Sequence, residues 1–231
     1  MPEGKQVQSM FSGIAGRYDL LNHVLSGGID FYWWWRMARA SGAGAGLRYL
    51  DVAAGTGDSS IALAKRGAEV VSTDFTHAML RLGPAKFRKK GLDGPIFASA
   101  DADAQRLPFK DAAFDGLTIC YGIRNVEARA KAYAEFLRVL KPGGRLTILE
   151  FSTPVLPGLR GLYAWYSLKV LPRIGGWLSG DRSAYEYLPE SIRQFPDQRK
   201  LAAELETAGF REVAWTNLSG GIVALHMAMK A

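Results

Sequence analysis

A chain of 231 residues, 48% hydrophobic and 22% charged, is long enough for one well-buried domain and excludes a disordered chain. Its one cysteine, Cys120, excludes an intramolecular disulfide and a metal cluster of the paired-thiol kind, which fits a reducing compartment. A formal charge of +7 is compatible with nucleic acid, anionic lipid or mere solubility and selects none of them.

Residues 1–10 are polar and lack the basic-then-apolar layout of a secretory signal, and no stretch reaches the roughly 18 uncharged apolar residues of a spanning helix. A cytoplasmic protein is expected, with room for contact at the inner face of a membrane. Residues 1–46 are expected to form a helical N-terminal cap, and the small residues 41–46 offer it a hinge. Within the cap, Trp33, Trp34 and Trp35 cannot all face one core from a single helix, so at least one projects toward solvent, a substrate channel or lipid.

Residues 47–151 alternate strand-length apolar runs (48–52, 69–73, 96–100, 114–120 and 145–151) with helical patterns at 59–66, 77–90 and 128–140. That alternation predicts an α/β fold, a parallel sheet covered on both faces. The last helix is stopped by Lys141-Pro142-Gly143-Gly144. Lys86, Arg88, Lys89 and Lys90 read as a solvated helix end.

Residues 152–196 leave the alternation and are expected to be a second cap. There Leu159, Leu162, Tyr163, Trp165, Tyr166, Leu168, Val170, Leu171, Ile174 and Trp177 are interspersed with Arg160, Lys169 and Arg173, the pattern of a surface-lying amphipathic segment and also of an ordinary packed cap. Residues 197–231 predict a helix and a hairpin of strands 212–218 and 222–229 around Ser219-Gly220-Gly221, making the final strand antiparallel. The whole is expected to be a single domain with a seven-stranded, mostly parallel sheet.

The strongest local signal is Leu50-Asp51-Val52-Ala53-Ala54-Gly55-Thr56-Gly57-Asp58, a strand entering a small-residue turn and then a helix. Gly55 and Gly57 let backbone amides approach a ligand at the carboxyl end of the strand, and Asp74, ending the second strand, can accept both hydroxyls of a ribose. A third glycine is missing and Asp58 stands where it would repel a pyrophosphate, which disfavours a dinucleotide. S-adenosylmethionine, with an amine, a sulfonium and a carboxylate, fits a loop offering amides and the carboxylates of Asp51 or Asp58. Asp103 is placed either to bind the adenine amine or to cap a helix, and Cys120 closes the fourth strand in the same crevice or is simply a small buried hydrophobe.

Further stretches carry a resemblance: Ala15-Gly16-Arg17-Tyr18-Asp19-Leu20-Leu21-Asn22, Tyr121-Gly122-Ile123-Arg124-Asn125-Val126, the Leu-Lys-Pro-Gly-Gly segment ending at Gly144, and Tyr187-Leu188-Pro189-Glu190-Ser191-Ile192. Along nearly its whole length the chain resembles the menaquinone and ubiquinone biosynthesis C-methyltransferases, Rossmann-like class I enzymes. The resemblance implies S-adenosylmethionine-dependent methylation of a prenylated quinol ring, turning demethylmenaquinol into menaquinol or acting on a methoxy-polyprenyl-benzoquinol. It implies cofactor contacts at Thr56, Asp74, Asp103 and Ala104, with Cys120 where some members carry Ser; Ala53, Gly55 and Gly57 of the turn complete the expected cofactor set. It also places Arg124 and Asn125 at the phenol oxygen. Expected partners are the quinol, a membrane surface, and a second copy or other quinone-biosynthesis enzymes; no metal and no nucleic acid is expected.

Carbon methylation needs an electron-rich ring, so the substrate is expected in its reduced form, losing a phenol proton as the methyl group transfers. Arg124 stays protonated and is assigned electrostatic stabilisation, which leaves Tyr18, Asp19 or a water as the proton acceptor. A plain strand-end pairing of Arg124 with Glu127 or Glu150 is the competing reading. His23 and His226 have no partner recognisable from spacing and are expected in solvent or packing roles. Two rivals remain. A nicotinamide-dependent oxidoreductase is disfavoured by the missing glycine, and a nucleic-acid methyltransferase by the lack of a base-flipping motif or a dense basic stripe.

Overall fold

The computed structural model describes residues 12–13, 15–92, 97–170, 173 and 183–231, apart from the side chains of 17–18, 97–98 and 183–186. Expectations for Leu171, Ile174, Trp177 and the side chain of Tyr18 therefore lie outside the described residues.

Seven strands form one sheet in the order β3-β2-β1-β4-β5-β7-β6. They are β1 (Arg48–Val52), β2 (Glu69–Asp74), β3 (Phe97–Asp101), β4 (Phe114–Cys120), β5 (Leu140–Phe151), β6 (Arg211–Leu218) and β7 (Val223–Met229). β1 to β5 are parallel, and β7 enters antiparallel between β5 and β6, as expected. The order reverses beside β1, so β1 and β4 diverge in their connections and leave a crevice at their carboxyl ends.

Alternation along β1 sorts its side chains onto the two faces. Leu50 and Val52 join Leu117, Ile119, Phe136, Ile148, Leu201 and Leu205 under helices α6 (Arg129–Val139) and α9 (Gln198–Ala208). Tyr49 joins Trp33, Met37, Ile61, Val70 and Phe87 under α2 (Asp30–Ser41), α3 (Asp58–Ala64) and α5 (Gly83–Lys89). Truncating a buried side chain as large as Phe136 to alanine is expected to cost about 3–5 kcal/mol.

Three elements differ from the sequence reading. The helix expected at 77–90 breaks into α4 (His77–Leu80) and α5, because Pro84 has no amide proton and its ring clashes with the carbonyl four residues back. Residues 140–144 are not a free turn: Leu140 already pairs with Phe114, and Gly143 and Gly144 exchange hydrogen bonds with Lys230, so the strand ladder absorbs the Pro-Gly-Gly bulge. Residues 41–46 are held rather than hinged. Tyr49 Oη donates to the Ser41 carbonyl at 2.6 Å, Arg145 Nη1 to the Ala40 carbonyl at 3.2 Å, and Ala43 is buried.

α1 (Tyr18–Ser26) and α2 lie over the carboxyl ends of the strands together with α7 (Pro157–Trp165), which continues as a π-helical turn over Tyr166–Val170, and α8 (Ser183–Gln194). Tyr166 Oη donates to the Leu25 carbonyl at 2.8 Å, tying the two caps together. The tryptophan run divides as anticipated: Trp33 is 4% exposed, Trp34 is half-buried and Trp35 is 51% exposed. No described helix is long and apolar enough to cross a membrane.

Candidate active site

The caps and the strand ends enclose a cavity of about 460 Å³. One end is the β1–α3 turn, contributing Ala53, Ala54, Gly55, Thr56, Asp58 and Ser59. The other end is mostly aromatic and aliphatic, with Trp33, Trp34, Tyr121, Phe151, Tyr163 and Tyr166 among its walls. An apolar chamber thus opens directly onto a backbone-rich polar loop.

The loop is shaped by its backbone. Ala53 (φ +52°), Gly55 (φ +58°) and Gly57 (φ +95°) all adopt left-handed conformations, and Tyr121 at the end of β4 does so too (φ +55°). Non-glycine residues there cost about 1–3 kcal/mol each, and two of them facing one cavity mark a site where packing holds strain in place. At Gly57 an added Cβ would lie 2.9 Å from Phe87 Cε2, so glycine is needed for space as well as for conformation.

Asp74 stands beside this loop. Its Oδ2 accepts from the Gly55 amide at 2.8 Å and its Oδ1 from the Thr76 amide at 2.7 Å, while burial pushes its pKa above the usual carboxylate value. It does not line the cavity; its carboxylate is turned to the β1–α3 turn through the Gly55 amide.

Asp51 behaves differently from the expectation that it would face a ligand amine. The pleat of β1 points it toward α3, where Ser59 and Ser60 each donate to Oδ2 at 2.5 Å and Thr118 donates to Oδ1 at 2.7 Å. It is 0% exposed and does not reach the cavity, so it acts on the site through Ser59, which does. Burial raises its pKa to about 6 despite the three hydroxyl donors.

Asp103 caps a turn rather than a helix, accepting from the Gln105 amide at 2.9 Å, and Ala104 behind it is buried. Neither lines the cavity described above; both sit at the end of β3, on the Asp74 side of the crevice. Cys120 is 6% exposed and lines the cavity, its thiol pushed well up by burial and by the neighbouring Asp51 and Glu150, so it is a neutral wall rather than a nucleophile.

Lys86 is not part of a solvated helix end. Its Nζ lies 2.7 Å from both Asp19 Oδ2 and Asp58 Oδ1 and donates to Thr56 Oγ1 at 3.2 Å, while Thr56 in turn donates to Asp19 Oδ1 at 2.5 Å. Asp19 of α1 is thereby fastened to the β1–α3 turn. Two carboxylates against one ammonium leave this group net negative, which still suits a cationic ligand better than a phosphate.

Arg124 lines the cavity from a 3₁₀ turn, Ile123–Asn125, just after β4. Its Nη1 meets Glu150 Oε1 at 2.7 Å and the Tyr121 carbonyl at 2.5 Å, and its side chain lies against the Phe151 ring. Pairing with Glu150 and exposure to the cavity are therefore both true of this residue, and the two readings posed by the sequence are not exclusive. Asn125 does not line the cavity; it accepts a 2.8 Å hydrogen bond from Tyr187 Oη, and Tyr187 does.

Sequence reasoning singled out the stretches holding Asn22 and Tyr187 without giving either residue a role, and it missed Asp30; all three are on the cavity wall, as is Trp34 of the run from which a residue was expected toward solvent, a substrate channel or lipid. The Trp34 indole N–H, buried, has no hydrogen-bond partner among the described residues. His23 has a partner after all, the buried Asp30, seven residues on and across the turn between two helices, which spacing alone does not close. His226 is a packing residue, stacked on Trp215 with Nε2 donating to the Gln198 carbonyl at 2.9 Å.

Comparison with known proteins agrees with this layout. The pattern of the ubiE/COQ5 methyltransferase family matches residues 2–230. The ubiquinone/menaquinone biosynthesis C-methyltransferase UbiE of Proteus mirabilis (strain HI4320) is 45% identical over 227 residues, 97% of this chain and 90% of that protein. The demethylmenaquinone methyltransferase of Mycobacterium sp. (strain KMS) is 47% identical over 225 residues, 97% of this chain and 94% of that protein. A SAM-dependent methyltransferase from Aquifex aeolicus shares the fold, with a TM-score of 0.63 at 20% identity over 85% of this chain and 88% of the other. The chain belongs to the ubiE/COQ5 methyltransferase family, and its reaction is methyl transfer from S-adenosylmethionine.

Proposed function

We propose that the aromatic chamber receives a reduced, prenylated quinol and that a ring carbon of that quinol is the methyl acceptor. The observation that carries this reading is the direct continuity between the Gly55–Thr56 turn and a chamber walled by Trp34, Tyr121, Tyr163 and Tyr187, with the Arg124 guanidinium on its wall. S-adenosylmethionine, when bound, supplies an electrophilic methyl group on its sulfonium.

The residues present suit that ligand. Asp74 takes the ribose hydroxyls on its remaining lone pairs, the Gly55 and Thr56 backbone lies along the amino-acid moiety, and Asp58 faces the amine. Asp103 and Ala104 border the adenine, and Cys120 forms a neutral, apolar wall. Gly57 and Ala53 hold the loop in the shape these contacts need, and Asp51 fixes it from behind through Ser59.

On the acceptor side, Arg124 stabilises negative charge on the quinol oxygen, and Glu150 holds it in place. Burial pushes the Tyr163 phenol up to about 12, so it stays protonated and can only donate or accept a hydrogen bond there. Asn125 acts on the substrate through Tyr187. Asp19 and Tyr18 belong to the helix closed over the loop, where Asp19 is engaged by Lys86 and Thr56.

The segments 1–46 and 152–196 act as the substrate caps of a single domain. Their outer surface exposes Leu20, Val24, Phe31, Trp35, Leu156 and Leu168, and Arg36 and Arg39 lie over the Tyr32 and Trp35 rings. This face suits a peripheral contact with anionic membrane, from which a polyprenyl tail is delivered. Turnover assays with reduced demethylmenaquinol and with a reduced methoxy-polyprenyl-benzoquinol test the acceptor; no methylated product from either rejects it. Cosedimentation with anionic liposomes at low salt tests the surface, and its absence rejects membrane contact.

A further inference from the structure

We propose that Asp30 is the group that accepts the hydroxyl proton of the quinol, with His23 and Ser26 as its positioning residues. The inference rests on the quinol-methylation reading and fills the role that Arg124, always protonated, cannot take.

Asp30 is the first residue of α2, lies on the cavity wall and is 5% exposed. Its Oδ1 accepts from Ser26 Oγ at 2.9 Å and its Oδ2 meets His23 Nδ1. An ionised carboxylate has about four lone-pair sites, so two remain for a ligand. The other carboxylates at the cavity are differently committed: Asp58 is paired with Lys86 and Glu150 with Arg124. Asp30 is partnered by an imidazole and a hydroxyl alone among the described residues, so no permanent cation opposes its taking a proton.

His23 supplies an exit. Its ring stacks on Phe31 with centroids 4.5 Å apart, which fixes its plane, and its side chain is 27% exposed while that of Asp30 is 7% exposed. In the step proposed, the quinol O–H bond breaks, its electron pair stays on oxygen and spreads into the ring, and the proton binds an Asp30 oxygen. The imidazole, in the tautomer that carries its proton on Nε2, then takes the proton on Nδ1 and gives the Nε2 proton to water, which resets the carboxylate. No oxidant or reductant is required.

A carboxylate at a helix start also stabilises that helix electrostatically, so the test must read something beyond stability. Wild-type turnover of a reduced prenylated naphthoquinol and of a reduced methoxy-polyprenyl-benzoquinol is measured first, and the better substrate carries the test. If there is none, the quinol reading fails, and this inference falls with it. With turnover established, Asp30→Asn is expected to lower kcat by about 10²–10⁴-fold while KM and the calorimetric affinities for S-adenosylmethionine and for the oxidised quinone stay near wild type. On a quinol carrying a ring halogen, whose hydroxyl is more acidic, the deficit should shrink by about tenfold or more. If Asp30→Asn does not fold, His23→Gln, which keeps a donor toward Asp30 but removes the relay, carries the test: a kcat deficit of about tenfold that shrinks with the halogenated quinol is expected. A wild-type kcat in the variant tested, or a deficit that is the same on both quinols or tracks a loss of quinone binding, overturns the assignment.

Discussion

The Arg124 guanidinium and the Glu150 carboxylate meet at 2.7 Å with side chains only 5% and 1% exposed, joining the end of β4 to the end of β5 at the cavity wall. Burial alone would push the Glu150 carboxyl up, and Arg124 opposes that shift. Glu150→Gln leaves a buried guanidinium without its counter-charge, which costs about 3–5 kcal/mol of stability in urea denaturation. Arg124→Ala should lower turnover by about 10²-fold or more while donor affinity, measured by calorimetry, stays near wild type.

Asp74 makes the opposite prediction. Asp74→Ala removes two charge-assisted ribose contacts and also frees the Gly55 and Thr76 amides that it now holds. Donor affinity should fall by about 2–3 kcal/mol, near 100-fold, with quinone affinity unaffected. Calorimetry with each ligand separately distinguishes the two effects.

Gly57→Ala tests the shape of the loop. A side chain at φ +95° is strained, and its Cβ would press on Phe87 at 2.9 Å. A loss of about 1–3 kcal/mol in stability is expected, with weaker donor binding as the turn shifts. Thermal denaturation with and without donor reads both.

Asp51 gives a pH signature. Its folded pKa, about 6, lies above the ordinary 3.8, so the native state binds the proton more tightly than the unfolded chain. Its contribution to stability is therefore fullest below pH 4 and is lost as pH rises toward 6, by a few kcal/mol at most. Asp51→Asn lacks that ionisation. The stability of wild type minus that of Asp51→Asn, from urea titrations, should fall between about pH 4 and pH 6 and be flat above it.

The sheet was legible because its strands are short apolar runs bounded by Gly, Asp and Pro. The expected and observed limits of β1 and β4 coincide, and those of β2, β6 and β7 differ by one residue. The break between α4 and α5 was missed by weighing helical periodicity over Pro84. The glycine turn and Asp74 were readable because local backbone geometry dictates them. Asp51 was misjudged because strand alternation, which turns it toward Ser59 and Ser60, was not applied to the motif. Contacts such as Asp30 with His23, Lys86 with Asp19, and Tyr187 with Asn125 join separate elements, and no spacing rule within one element foretells them.

The most direct measurement is to incubate the purified protein with a reduced prenylated demethylquinol and S-adenosylmethionine bearing a trideuterated methyl group, and to locate the label by mass spectrometry and NMR. Label on a ring carbon, formed about 100-fold more slowly in Arg124→Ala and, at sub-saturating donor, in Asp74→Ala, is the result predicted. Unlabelled quinol, or label on a phenol oxygen, would contradict it.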